Sequence, residues 1–142
     1  FEKYAPDGAQ PAHAFYWLSG RLPSEEFRIT QIARDEKEAA YWIELWQPPS
    51  RVRHRILYDP RRQVLNRHLV VDGEEILVDV RYEDYQSGEG ASCPQPGLVT
   101  IEARGHRGKM ILNLSDWLAD PQLYPGDFQF EVPAGYERIM VQ

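Results

Sequence analysis

The sequence predicts a mainly β protein, a curved antiparallel meander forming an unclosed or half β barrel with one or two short helices. Three observations lead there. From Phe27 onward apolar and polar residues alternate in short runs, each run closes on a turn signal, and only residues 13–19 and 115–119 read as helix. A long meander with one apolar face must cover that face. Two short helices are too little for so many strands, so the sheet must curl strongly or take its cover from another segment.

The elements follow in chain order. Residues 1–12, "FEKYAPDGAQPA", form a loose lead-in to a single β domain spanning 1–142. "HAFYWLSGRLPSEE" predicts a helix over 13–19, ended by Gly20 and blocked by Pro23. Strands are expected at 27–34, 39–47, 51–58, 63–71, 75–85, 98–104, 108–114, 127–132 and 136–141. Between them stand the turns "RDEKE", "QPPS", "DPRR", "VDGE", "GHRG" and "VPAG", and the long hairpin loop "QSGEGASCPQPG". "SDWLADPQLYPG" reads as a helical turn capped by Ser115, then an irregular link.

Counting outward from the turns gives a register. Gln47 opposite Ser50 sets Trp46, Glu44 and Trp42 against Arg51, Arg53 and Arg55, with Leu45, Ile43 and Tyr41 against Val52, His54 and Ile56 on the other face. Tyr58 opposite Gln63, and an Asp72-Gly73 hairpin, extend this into three inner rows. They are Tyr41, Ile56, Leu65, Val80; Ile43, His54, Arg67, Val78; and Leu45, Val52, Leu69, Ile76. Val99, Ile101 and Ala103 opposite Leu114, Leu112 and Met110 continue the apolar surface.

Composition narrows the function classes. A 142-residue chain that is 42% hydrophobic suits one folded domain. Its net charge of −6 and pI of about 5.2 argue against whole-surface attraction to nucleic acid or anionic membranes. Cys93, the sole cysteine, excludes an intrachain disulfide and a cysteine-based zinc cluster. No apolar run is long enough to span a bilayer. The chain opens at Phe1 rather than methionine, which reads as a piece trimmed from something longer.

No nucleophile elbow, metalloprotease motif or phosphate-cradling loop is present, so an enzyme is not expected, nor a cofactor or metal. The register places His54 and His68 on opposite faces, where they cannot share an ion, and His106 in a turn. Arg67 beside His54 on the inner face stands out, because a buried guanidinium needs a partner. It reads either as internally hydrogen-bonded or as a polar contact at the mouth of an apolar cavity. The Trp42, Trp46 and arginine ladder, with Glu44 between, reads as a cross-strand network of ring-over-guanidinium contacts and an ion pair. A second basic strand, which a nucleic-acid groove would need, is missing.

"WLSGRLP", the meander "YWIELW...RVRHRILYD...QVLNRHLVVDGEEILVDVRYEDYQ" and the ending "FQFEVPAGYERIMV" resemble the LolA/LolB-like superfamily of bacterial lipoprotein carriers and receptors. The likeness is closest to the C-terminal part of its outer-membrane lipoprotein members. The "F-x-F-x-V-P-x-G" ending and the "D-G-E-x-x-x-x-V-x-Y-x-D-Y" strand are the most telling matches, each weakly specific alone. The resemblance implies an unclosed barrel whose apolar concave side binds acyl chains. It also implies a periplasmic or outer-membrane location, on the inner leaflet, with membrane association through an N-terminal lipid anchor that this sequence lacks. The family's signal peptide, lipobox, first helix and first strands are likewise missing here.

The expectation is therefore a non-enzymatic envelope domain that takes up lipid or the acyl chain of a lipoprotein. The expected lining is Tyr41, Ile43, Leu45, Ile56, Leu69, Val78, Val80, Ile101, Met110 and Leu112, with Arg67 and His54 as the polar contact. The alternative is an envelope module that docks a partner protein on Trp42, Trp46 and the arginines.

Overall fold

Alternating side chains, interrupted at three points by an extra residue, build one antiparallel sheet. The computed structural model describes residues 11–23, 26–87, 93–118 and 122. Helix α1 (Pro11–Ser19) precedes β1 (Arg28–Asp35), β2 (Ala40–Trp46), β3 (Val52–Asp59), β4 (Val64–Asp72), β5 (Glu75–Glu83), β6 (Leu98–Ala103) and β7 (Met110–Asn113). The sheet runs in sequence order from β1 to β7 and does not close. This is the mainly β, unclosed antiparallel sheet that the alternation and the turns predict. The strands expected at 127–132 and 136–141 lie outside the described residues.

Turn chemistry sets the hairpins. Asp35 Oδ1 accepts from the backbone N–H groups of Lys37 and Glu38, and Asp59 Oδ1 does the same for Arg61 and Arg62. Gly73 takes a positive φ of 63° in the turn between β4 and β5. α1 begins at Pro11, within the expected lead-in, and stops at Gly20, whose φ of 64° lets the Arg21 N–H reach back to the Tyr16 carbonyl. Residues 115–118 are not helical. There the Ser115 hydroxyl donates to the Asp116 carboxylate instead of capping a helix, and Asp116 has a φ of 56°.

The register departs from turn counting in two ways. β2 and β3 pair with Trp46 opposite Arg53, Glu44 opposite Arg55 and Ile43 opposite Ile56, a slip of two residues that leaves every side chain on its expected face. β6 and β7 slip by two as well, Val99 meeting Leu112 and Ile101 meeting Met110. Bulges have a larger effect. Asn66 is an extra residue between Leu65 and Arg67, and Leu77 between Ile76 and Val78. One extra residue moves everything beyond it to the other face. Arg67 and Leu69, expected inside, are therefore outside, and His68 is inside. Ile76 pairs with Val71 on the outer side and is exposed.

The core lies on the side that Trp17 of α1 packs against. Trp17, Leu45, Ile56, Leu65, Val70, Leu77, Val78, Val80, Tyr82 and Val99 form one buried cluster. Leu22 and Phe27, from the link between α1 and β1, pack against it. Burying these side chains supplies the driving force, at about 25 cal/mol per Å² of apolar area.

Candidate functional site

Cross-strand pairing assembles an inner row through all seven strands: Ile32, Ile43, Ile56, His68, Val80, Ile101 and Met110. A second runs Ile29, Leu45, His54, Val70, Val78 and Ala103. Burial along the first row peaks at the centre, with His68 and Val80 at 0% exposure, and fails at both ends, where Ile32 is 60% and Met110 57% exposed. Ile29, on the same flank as Ile32, is also exposed, and so is Tyr41. An apolar face thus runs from under the helix out to both open edges.

Of the expected lining, Leu45, Ile56, Val78 and Val80 are buried in this face, while Ile43, Ile101 and Leu112 are half-buried beside it. Tyr41 and Met110 stand exposed at its margins. Leu69 does not belong to it. It pairs with Arg55 and Asp79 and lines a hollow of about 390 Å³ on the outer face with Gln31, Ala33, Trp42 and Glu44. The expected pairing of Arg67 with His54 is also corrected, since the Asn66 bulge puts them on opposite sides of the sheet.

Arg67 finds its partner outside. Its Nε and Nη2 donate to the two carboxylate oxygens of Asp79 at 2.9 and 2.7 Å, and Arg81 adds a third contact at 3.1 Å. Burial pushes the Asp79 carboxyl up, but the two guanidiniums outweigh it and hold it below the usual carboxylate range. The half-buried Glu44 carboxylate receives Arg55 at 2.9 Å, Arg53 at 3.2 Å and the Thr30 hydroxyl at 2.9 Å. Desolvation raises its pKa, and these donors overcome that and lower it. Arg53 also lies over the Trp46 ring at 5.2 Å. Both indole N–H groups are engaged, Trp42 to Asp35 and Trp46 to the Ser50 carbonyl. The ladder is an internally satisfied layer.

On the inner face the notable polar feature is a pair of imidazoles. His54 Nδ1 lies 2.8 Å from His68 Nε2, and the Phe27 ring meets His54 edge-on at 5.3 Å between centroids. Beneath the end of α1, the Tyr85 hydroxyl donates to the Leu65 carbonyl at 2.6 Å, and burial pushes both Tyr82 and Tyr85 well above the ordinary phenol range. Among the described residues no group of three or more His, Cys, Asp or Glu could hold a metal ion, and no helix is long and apolar enough to cross a membrane.

Sequence reasoning missed the His54 and His68 pair and the open flank of Ile29 and Ile32. A signal existed for both. Leu65 and His68, like Ile29 and Ile32, are three residues apart, and two strand residues at that spacing share a face only across a bulge. Thr30 is the extra residue in β1. No protein-family model, curated protein or solved structure matches the chain.

Proposed function

We propose that this domain is a non-enzymatic lipid carrier or receptor of the bacterial envelope, binding the acyl chain of a lipid or lipoprotein along its inner face. One observation carries the reading. The inner row is apolar on either side of His68, running through Ile56 and Ile43 to Ile32 at one edge and through Val80 and Ile101 to Met110 at the other. An acyl chain laid against such a flank gains about 25 cal/mol per Å² of apolar surface removed from water. The sequence resemblance to the LolA/LolB-like superfamily supports the same ligand class and a periplasmic or outer-membrane location.

The lining in this reading is Ile29, Ile32, Tyr41 and Ile43 on one flank and Ile101, Met110 and Leu112 on the other. Arg67 has no part in it, because its guanidinium is held by Asp79 on the other side of the sheet. The alternative, a protein partner docked on Trp42, Trp46 and the arginines, has less support, since those groups are already engaged with one another. Native mass spectrometry of the full chain, purified under mild conditions, tests the proposal. Adducts of lipid mass are expected. A bare chain, or a tight complex with another protein and no lipid, would overturn it.

A further inference from the structure

Beside its ion pairs the outer face carries a hollow, and the register shows why one forms there. Gln31, Glu44, Arg55 and Leu69 stand in one cross-strand row over β1 to β4, and Ala33 faces Trp42 in the next. All six line a space of about 390 Å³. Ala33 is the short member. A methyl group opposite an indole leaves room beside the ring, and the buried Leu69 adds an apolar wall.

Groups around the hollow keep bonding capacity that the ladder does not use. The Trp42 indole N–H donates to Asp35 at 3.2 Å, which fixes the ring in place. Arg53 covers the Trp46 ring at 5.2 Å, but among the described residues no cation or ring covers that of Trp42. Arg55 gives its Nε to Glu44 Oε2 at 2.9 Å, and neither of its Nη groups has a protein partner among the described residues. The exposed Gln31 amide has none either. Glu44 Oε2 receives Arg55 alone, while Oε1 takes both Thr30 and Arg53, so Oε2 has room for one more donor.

These groups define a ligand. Glu44 and Arg55 place opposite charges in the lining, so neither a cation nor an anion is favoured, and a fatty-acid carboxylate reaching Arg55 would stand beside Glu44. A purely apolar ring would cover Trp42 and Leu69 but cut Arg55 and Gln31 off from water without partners. A sugar ring meets both demands. Its C–H face packs on an indole, and the hydroxyls around its rim both donate and accept. Arg55 only donates, Glu44 only accepts, and Gln31 does either. The size agrees, since small-molecule sites span about 300 to 1,000 Å³.

We infer that the outer hollow over β1 to β4 is a binding site for a neutral sugar, stacked on Trp42 and held at its hydroxyls by Gln31, Glu44 and Arg55. Because Asp35 already fixes the indole and Glu44 the guanidinium, binding orders little beyond the Gln31 side chain. The site lies on the face opposite the acyl-binding row and stands without that reading.

Saturation-transfer difference NMR on the full chain tests the assignment, with methyl glucoside, methyl galactoside and N-acetylglucosamine as probes at neutral pH. The expected result is transfer to the ring C–H protons of at least one sugar. Ala33→Leu, which fills the space beside the indole, should abolish that signal, and Gln31→Ala should weaken it several-fold. Both residues are exposed on the edge strand β1, and circular dichroism checks that each variant keeps the sheet. Should one variant fail to fold, the other carries the test. No transfer to any of the three sugars, or a signal that a folded variant leaves unchanged, would overturn the site.

Discussion

Arg67 and Asp79 show how a single side chain changes meaning when its face is known. As an inner residue Arg67 would be a buried cation seeking a ligand; as an outer residue it is half of a two-pronged ion pair, with Arg81 alongside. Arg67→Met should lower stability by about 1 to 2 kcal/mol, because Asp79 stays buried with only Arg81 for support. It should leave fatty-acid affinity unchanged. The pH dependence follows from the lowered Asp79 pKa. A carboxyl depressed in the folded state contributes stability above its unfolded value, near 4, that is lost as pH falls through the folded value. Urea unfolding at several pH values should therefore show the wild type losing stability below about pH 4, and Arg67→Met losing less over the same interval.

At the scale of elements, α1 and the bulges do most to shape the inner face. α1 ends at Gly20, where a Cβ would lie 2.7 Å from the Tyr85 hydroxyl and the φ of 64° already disfavours any side chain. Tyr85 cannot easily yield, because its hydroxyl is held by the Leu65 carbonyl. Gly20→Ala should cost about 1 to 2 kcal/mol, seen as a lower urea midpoint with an unchanged slope. The C-terminal end of α1 and the strands were legible in the sequence from Gly20, the aspartate turns and the alternation from β1 to β7, whereas the helix starts at Pro11, two residues before the expected position. Faces were legible too wherever pairing slipped by two residues, as at Trp46 and Arg53, because such a slip preserves parity. They were not legible between Asn66 and Leu77, beyond which the second bulge restores the expected faces at Val78 and Val80. A bulge adds one residue without any turn signal, so a count from "DPRR" or "VDGE" carries Arg67, His68 and Leu69 to the wrong side.

Over the described residues, the molecule is an open sheet with two unlike faces. The outer one carries a charge network in which Glu44 and Asp79 each gather two arginines. The inner one is apolar, covered at its centre by Trp17 and left open at its edges. That asymmetry is what the acyl-binding account depends on, and β1 allows both faces to be probed by adjacent residues. Ile32 and Ala33 are both exposed on the same edge strand, Ile32 opposite Ile43 on the inner face and Ala33 opposite Trp42 on the outer. The most direct measurement is titration of a fluorescent fatty acid into wild type, Ile32→Asp and Ala33→Asp at neutral pH. The account predicts about a tenfold loss of affinity for Ile32→Asp, roughly the value of the apolar surface removed, and wild-type affinity for Ala33→Asp. Equal losses in both variants, or a loss confined to Ala33→Asp, would contradict it.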